Sequence, residues 1–333
     1  MRLHLNENTA GCSPAVFDTL RRLGRCEVGF YPDYDVAYEA VGRHFGVPVD
    51  HLLLTNGLDE GILAAAAAAC RDHSSGVPEA LGVTPAFDEY EICTNALGGR
   101  MVTVPLGDRF ETPLDALRAA VTPRTKIVFL SNPHNPSGRT MPLDTLRGLA
   151  RDVAPAILFV DEAYADFSGE TLIEPATFAT LPNVIIGRTF SKVYGLAGLR
   201  VGVLVGPPAT LAPLRRVVPP YSVNAWATAA LPVAIADRAY RDWYREQAAA
   251  SRVLLTEACA RLGLETWPSA ANFLLVRVGN APAVVKDLAA RGVRVRDRSA
   301  DPGSAQCIRI TAGVVDDTTR AIAALEEVLC AAR

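Results

Sequence analysis

The chain has 333 residues and a net charge of −3 at pH 7. It has no block of lysines or arginines and no basic stripe interleaved with aromatics, which argues against a nucleic-acid partner or an anionic membrane face. No apolar run is long enough to cross a bilayer; the longest, Ile62 to Cys70, is short and mostly alanine. The first residues, Met1-Arg2-Leu3-His4-Leu5-Asn6-Glu7-Asn8, hold no apolar signal core, so a cytoplasmic protein is expected. The seven cysteines (Cys12, Cys26, Cys70, Cys93, Cys259, Cys307 and Cys330) are scattered, with no C-x-x-C and no histidine at ligand spacing. Reduced thiols and no metal site are expected, with Cys70 and Cys330 as core packing residues in alanine-rich helices. No G-x-G-x-x-G follows a strand and no G-x-x-x-x-G-K-[ST] occurs, which disfavours a nicotinamide dehydrogenase and a P-loop enzyme. Neither an internal repeat nor a low-complexity linker appears, so any lobes should pack closely.

What the chain does have is apolar material: 50% of its residues are hydrophobic, enough for one large domain and one smaller one. Short, nearly continuous apolar runs alternate with helical patterns at Leu52 to Thr55, Leu81 to Thr84, Met101 to Leu106, Lys126 to Ser131, Ile157 to Val160, Val184 to Ile186 and Val201 to Val205. Runs without polar alternation suit strands buried on both faces, as in a parallel sheet covered by helices. This predicts an α/β fold with a mostly parallel central sheet. Asp35 opens a helix that Gly46 and Pro48 close, and Pro142-Leu143-Asp144 opens another. Beyond about residue 231 a long helix, Arg238 to Leu262, precedes strand-like Phe273 to Val278, Val293 to Val295 and Ile308 to Thr311, then a terminal helix, Asp316 to Ala331. The expected division is an N-terminal arm, 1–28, a large domain, 29–230, and a smaller α+β lobe, 231–333.

Four segments place chemistry-bearing residues at strand ends, where ligands collect in open α/β folds. Lys192 lies between an apolar strand and a Gly-rich stretch; a desolvated lysine loses its charge more easily and can form a Schiff base with an aldehyde. A lone lysine would ordinarily be solvated, but Ser191 and Arg200 beside it could hold a phosphate. Upstream, Asp161-Glu162-Ala163-Tyr164 closes a strand, and a carboxylate there would keep a pyridine nitrogen protonated while Tyr164 reaches a ring hydroxyl. In Thr55-Asn56-Gly57-Leu58-Asp59-Glu60-Gly61, the helix N-terminal amides of Gly57, Leu58 and Asp59 could cradle a phosphate, or Asn56 or Asp59 could simply cap the helix. In Asn132-Pro133-His134-Asn135-Pro136-Ser137-Gly138, Asn135 could donate to a phenolate, although turn-forming residues alone would explain such a loop. Asp161 as a turn carboxylate and Arg200 as a surface ion pair remain the plain alternatives. Lysine, carboxylate, phenol and phosphate clamp together are what a protein needs to hold pyridoxal 5'-phosphate.

In this order the segments resemble fold type I pyridoxal-phosphate aminotransferases, and the histidinol-phosphate aminotransferase family in particular, from Leu5-Asn6-Glu7-Asn8 to Ile308-Arg309-Ile310-Thr311. The resemblance implies a homodimer with shared sites and a ping-pong reaction through pyridoxamine phosphate. Glutamate would be the amino donor, and histidinol phosphate with imidazole-acetol phosphate the substrate pair. Lys192 would join the cofactor aldehyde and then carry a proton between the substrate Cα and the cofactor C4'. Phe87, in Thr84-Pro85-Ala86-Phe87, would stack on the ring, and Tyr31 would reach the neighbouring subunit's cofactor phosphate. Arg296 and Arg309 would bind acidic substrate groups, since one pair of guanidinium forks can serve both glutamate and a phosphate monoester; Arg291, Arg294 and Arg298 read as surface arginines. The chain departs from the family at Thr9-Ala10-Gly11-Cys12-Ser13-Pro14, where proline and an aromatic are usual, at Phe87, usually tyrosine, and at His134, often asparagine. An aromatic amino acid aminotransferase, a phosphothreonine decarboxylase and a non-catalytic cofactor-binding regulator are the alternatives.

Overall fold

The computed structural model describes residues 1–331. Its larger sheet has seven strands: β1 (Leu52–Thr55), β2 (Glu79–Thr84), β3 (Arg100–Pro105), β4 (Thr125–Ser131), β5 (Ile157–Asp161), β6 (Val184–Thr189) and β7 (Gly202–Val205). Their order is β1-β7-β6-β5-β4-β2-β3. The strand-forming runs fall where the apolar segments predict, and β1, β4, β5, β6 and β7 are buried along nearly their whole lengths. Two strands depart from the expectation of parallel strands buried on both faces. The run at β7 is antiparallel to both β6 and β1, because continuous burial reports two covered faces and carries no information on chain direction. The edge strand β3 has only exposed and half-buried positions, having a neighbour on one side only.

With β7 alone reversed, the carboxyl ends of β1, β2, β4, β5 and β6 share one edge of the sheet. The helix Gly57–Ala69 leaves β1 at that edge and buries Ile62, Ala64, Ala65 and Ala66 against β6 and β7. Small side chains let it lie close to the sheet. Gly202 sets the closest approach, since a Cβ there would sit 2.7 Å from the Leu58 backbone nitrogen. The helix Asp35–Phe45 ends on Gly46 in the left-handed conformation, φ 67°, a geometry that glycine adopts without the Cβ penalty.

The second sheet is antiparallel throughout, in the order β10-β11-β9-β8, with β8 (Glu265–Thr266), β9 (Phe273–Arg277), β10 (Arg296–Asp297) and β11 (Cys307–Thr311). Leu274, Val276, Ile308 and Ile310 on one face form a second core with Leu3, Leu255, Cys259, Leu288, Leu325 and Val328. A strand expected at Val293 to Val295 forms instead at Arg296–Asp297, while Arg294 makes an isolated bridge with Arg2. Leu3 donates to Arg294 O at 2.8 Å and accepts from Thr311 N at 2.9 Å, so the first residues lie along the small sheet. The 24-residue helix Arg238–Arg261 joins the cores, giving Tyr244 and Ala248 to the first and Leu255 and Cys259 to the second. Residue 231 lies inside the helix Ala225–Ala236, which packs on the helices Pro14–Leu20 and Asp35–Phe45. All seven cysteines are free thiols; Cys70 is buried, whereas Cys330 is exposed rather than packed in the core.

Candidate active site

A cavity of about 500 Å³ opens at the shared strand edge, between the large sheet, the small sheet and the N-terminal segment. It brings together Leu58, Asp59, Phe87, Asn135, Asp161, Tyr164, Ser191, Lys192, Arg200, Arg296 and Arg309 from segments spread over 250 residues of chain. Two sequence candidates lie outside its lining. Gly57 supports the wall: its φ is +77°, and a Cβ there would come within 2.5 Å of the Arg200 guanidinium. Tyr31 is 79% exposed on the surface, stacked on Tyr221 with ring centroids 4.5 Å apart.

The register of the sheet accounts for the floor. Asp161 is the last residue of β5, paired with Ser131 of β4 and Gly187 of β6. Its carboxylate is buried and accepts from Tyr90 Oη at 2.7 Å and from the Ala163 N–H at 2.9 Å. Burial pushes its pKa up to about 6, with repulsion from Asp59 adding to the rise and the Tyr90 and Ala163 bonds and the attraction of Lys192 opposing it. Asn135 follows β4 in a loop fixed by Asn132, which donates through its backbone to Asp161 O and exchanges two hydrogen bonds with Met141. His134 is buried and neutral, its pKa lowered to about 4 by burial, with Nδ1 2.8 Å from Ser137 Oγ and Nε2 3.1 Å from Pro85 O.

Lys192 stands in the turn after β6, half-buried rather than fully desolvated, because the cavity beside it is open. Its Nζ donates to Leu5 O at 3.0 Å and lies 5.8 Å from the Tyr164 ring centroid. The chain has three lysines; Lys126 is paired with Asp72 and Lys286 lies in the helix Ala281–Ala290, which leaves Lys192 as the amine of this cavity. At the same end, Thr189 Oγ1 donates to Ser191 Oγ at 3.0 Å, and Arg200 donates to Asp59 Oδ2 at 2.6 Å. Arg200 and Asp59 are both substantially exposed, so their attraction is weak enough for an incoming anion to displace.

On the opposite wall Arg296 and Arg309 are direct cross-strand partners in β10 and β11, so their side chains share one face of the small sheet. Arg309 is buried, with burial bringing its pKa down to about 10. It donates to Asn135 Oδ1 and to His4 O, has no carboxylate partner among the described residues, and its Nε is buried with no hydrogen-bond partner among them. A buried guanidinium without a counterion is a receptor for an anion. Arg296 is half-exposed, 4.0 Å from Asp88.

Three residues of the cavity wall and its support carry no clear signal in the sequence. Arg298, expected on the surface, is buried in the lining, paired with Asp301 and donating to Ala86 O at 3.3 Å. Asn6 adopts φ 55° and donates to Tyr164 Oη at 2.9 Å, tying the N-terminal segment to the floor. Tyr90 is buried behind Asp161; its only cue in the sequence is its place three residues after Phe87.

The residues fit pyridoxal phosphate: an amine, a buried carboxylate at the end of a strand, a phenol, an aromatic ring face and an arginine beside a helix N-terminus line one cavity. A family model described as "Aminotransferase class I and II" matches residues 1–325. The chain belongs to the aminotransferase class I and II family. It is 37% identical over 341 residues to histidinol-phosphate aminotransferase 2 of Ralstonia nicotianae, covering all of this chain and 89% of that protein. It is 36% identical over 336 residues to histidinol-phosphate aminotransferase of Moorella thermoacetica, covering 99% and 85%. Among solved structures, histidinol-phosphate aminotransferase from Sinorhizobium meliloti, in complex with pyridoxal-5'-phosphate, superposes with a TM-score of 0.90 at 29% identity over 100% of this chain and 91% of that one. This aminotransferase has the fold type I architecture of those neighbours. No helix among its described residues is long and apolar enough to cross a membrane, and none of their His, Cys, Asp and Glu side chains cluster in a group that could hold a metal ion.

Proposed function

We propose that this aminotransferase binds pyridoxal 5'-phosphate and exchanges an amino group between glutamate and the phosphorylated pair histidinol phosphate and imidazole-acetol phosphate. The observation that carries this reading is the buried Arg309, without an ion-pair partner among the described residues, beside Arg296 on one wall of the cavity that also holds Lys192 and Asp161. Bound there, the cofactor ring supplies an electron sink for the carbanion formed at the substrate Cα. Asp161 keeps the ring nitrogen protonated: opposite charges about 4 Å apart attract by roughly 4 kcal/mol at an effective dielectric near 20. Asn135 and Tyr164 hold the ring oxygen, with Asn135 oriented by the Arg309 bond to its Oδ1 and Tyr164 by the Asn6 amide. Phe87 covers one ring face. The N–H groups of Leu58 and Asp59 at the start of the helix Gly57–Ala69, Ser191 Oγ and Arg200 take the phosphate.

Lys192 Nζ, which donates to Leu5 O in this structure, would hold the cofactor at its aldehyde carbon and would move the proton at the substrate Cα. Arg309, with Arg296, receives a carboxylate of glutamate or the phosphate of histidinol phosphate in turn, so one wall serves both half-reactions. The exposed apolar surface of Val28, Phe30, Tyr31 and Tyr221 supports a homodimer in which Tyr31 approaches the partner's cofactor phosphate.

Amino transfer to 2-oxoglutarate tests the substrate. Histidinol phosphate is expected to exceed phenylalanine in kcat/KM by at least about tenfold, the discrimination available from one well-formed charged contact. A preference for phenylalanine overturns the phosphorylated substrate in favour of an aromatic one, and carbon dioxide release from phosphothreonine overturns amino transfer itself.

A further inference from the structure

We infer that Tyr90 is the positioning residue that keeps Asp161 ionised and aimed into the cavity, so that the strength of cofactor binding depends on a hydroxyl the cofactor never touches. This inference rests on the pyridoxal-phosphate reading of the site. Tyr90 belongs to the helix Glu89–Ala96, is 1% exposed, and is absent from the cavity lining, whereas Asp161 lies on the cavity floor. The phenol donates to Asp161 Oδ2 at 2.7 Å and the Ala163 amide donates to Oδ1 at 2.9 Å. One donor per oxygen fixes the plane of the carboxylate and leaves a lone pair on each oxygen for the open side.

The ring itself is held. It stacks on Phe129, with centroids 5.0 Å apart and planes 2° from parallel, and meets Phe87 edge-on at 5.7 Å. Tyr90 therefore touches both the residue assigned to the ring nitrogen and the one assigned to the ring face, and neither can shift without moving it. The rest of the buried surroundings pull in both directions, the Ala163 amide also favouring the charged form. Asp59, from the start of the helix Gly57–Ala69, repels it; Lys192, from the turn after β6, attracts it; Tyr164 and Ser131 lie against the phenol side. Burial alone drives a carboxyl towards the neutral form, in which it could no longer act as counterion to a protonated ring nitrogen. The Tyr90 phenol is itself held well above its ordinary pKa by burial and by the neighbouring carboxylate, so it serves only as a donor.

The test compares the wild type, Tyr90→Phe, Asp161→Asn and the double variant by titrating each cofactor-free protein with pyridoxal phosphate and following the visible absorbance of the bound cofactor against pH. Tyr90→Phe keeps the stack on Phe129 and removes one oxygen. It is expected to weaken cofactor binding at least about tenfold, within the range for a lost hydrogen bond to a charged group, and to move the pH midpoint of the bound chromophore. In the Asp161→Asn background the same substitution should change neither quantity, because the charge it supports is gone. Tyr90→His, with a ring and an N–H, is expected to fall between the wild type and Tyr90→Phe, and serves in place of Tyr90→Phe if that protein does not accumulate. Equal affinity and an unmoved midpoint in the hydroxyl-free variant, or an equal loss with and without the Asp161 carboxylate, overturns the inference. Failure of the wild type to take up the cofactor would instead overturn the pyridoxal-phosphate reading.

Discussion

The two ends of the cavity are built on opposite plans. At the ring end, Asp161, Asn135 and Arg309 are buried and locked to one another or to backbone. At the phosphate end, Arg200 is 44% exposed, sits in an open cleft and is occupied with Asp59. On the proposed reading, the difference follows from what each end would do. A charge that tunes the ring electronics has to sit in a low-dielectric setting fixed before the ligand arrives, where each interaction is strong. A group that only anchors a phosphate can be recruited from a solvated ion pair on arrival, at the cost of breaking a contact worth less than about 1 kcal/mol. The same contrast separates the two arginines proposed to bind substrate: Arg309 is buried without an ion-pair partner among the described residues, while Arg296 is half-exposed beside Asp88.

Substitutions at the two ends should therefore differ in kind as well as size. Asp161→Asn keeps the shape and removes the charge. In single-turnover amino transfer by cofactor-loaded protein it is expected to slow the reaction by about 10²- to 10³-fold, and a change below tenfold would mean that the ring nitrogen is served by another group. Arg309→Ala is expected to lower kcat/KM for histidinol phosphate and for glutamate by about 10- to 100-fold. Arg296→Ala should cost less than about tenfold, as a partly solvated contact does; steady-state kinetics on both substrates measures the ratio, and equal losses would erase the distinction between a buried and an exposed fork. Arg200→Ala has the smallest expected effect on the chemistry. Cofactor affinity, measured by equilibrium titration, should fall by about tenfold, while kcat at saturating cofactor stays within a factor of about two to three; a large drop in kcat would place Arg200 among the groups that set the ring's reactivity.

Much of this site can be read from the sequence. Lys192, Asp161, Asn135 and Tyr164 stand at the ends of apolar runs, and a buried run that stops on a polar residue marks a strand edge where ligands bind in α/β sheets. What the sequence hides are relations set by packing. Chain direction in β7 has no signature in its apolar pattern, since a strand covered on both faces looks the same either way up. Arg298 stands in Arg294-Val295-Arg296-Asp297-Arg298, which reads as a charged surface stretch, and becomes buried only because the small lobe docks on the loop carrying Ala86 and Asp301 closes over it. Tyr90 resembles any apolar-face aromatic of a short helix until β5 places Asp161 against it. Lys192 is expected to be desolvated from its neighbours in sequence, yet its exposure depends on a cavity whose other walls come from the small sheet and the first residues of the chain.

The proposed chemistry depends on one amine. Reducing the cofactor-loaded protein with borohydride and mapping its peptides by mass spectrometry should place the whole cofactor mass on Lys192, with none on Lys126 or Lys286, and Lys192→Ala should show neither the label nor the visible absorbance of the bound aldehyde. Label on another lysine, or amino transfer persisting in Lys192→Ala, would contradict it.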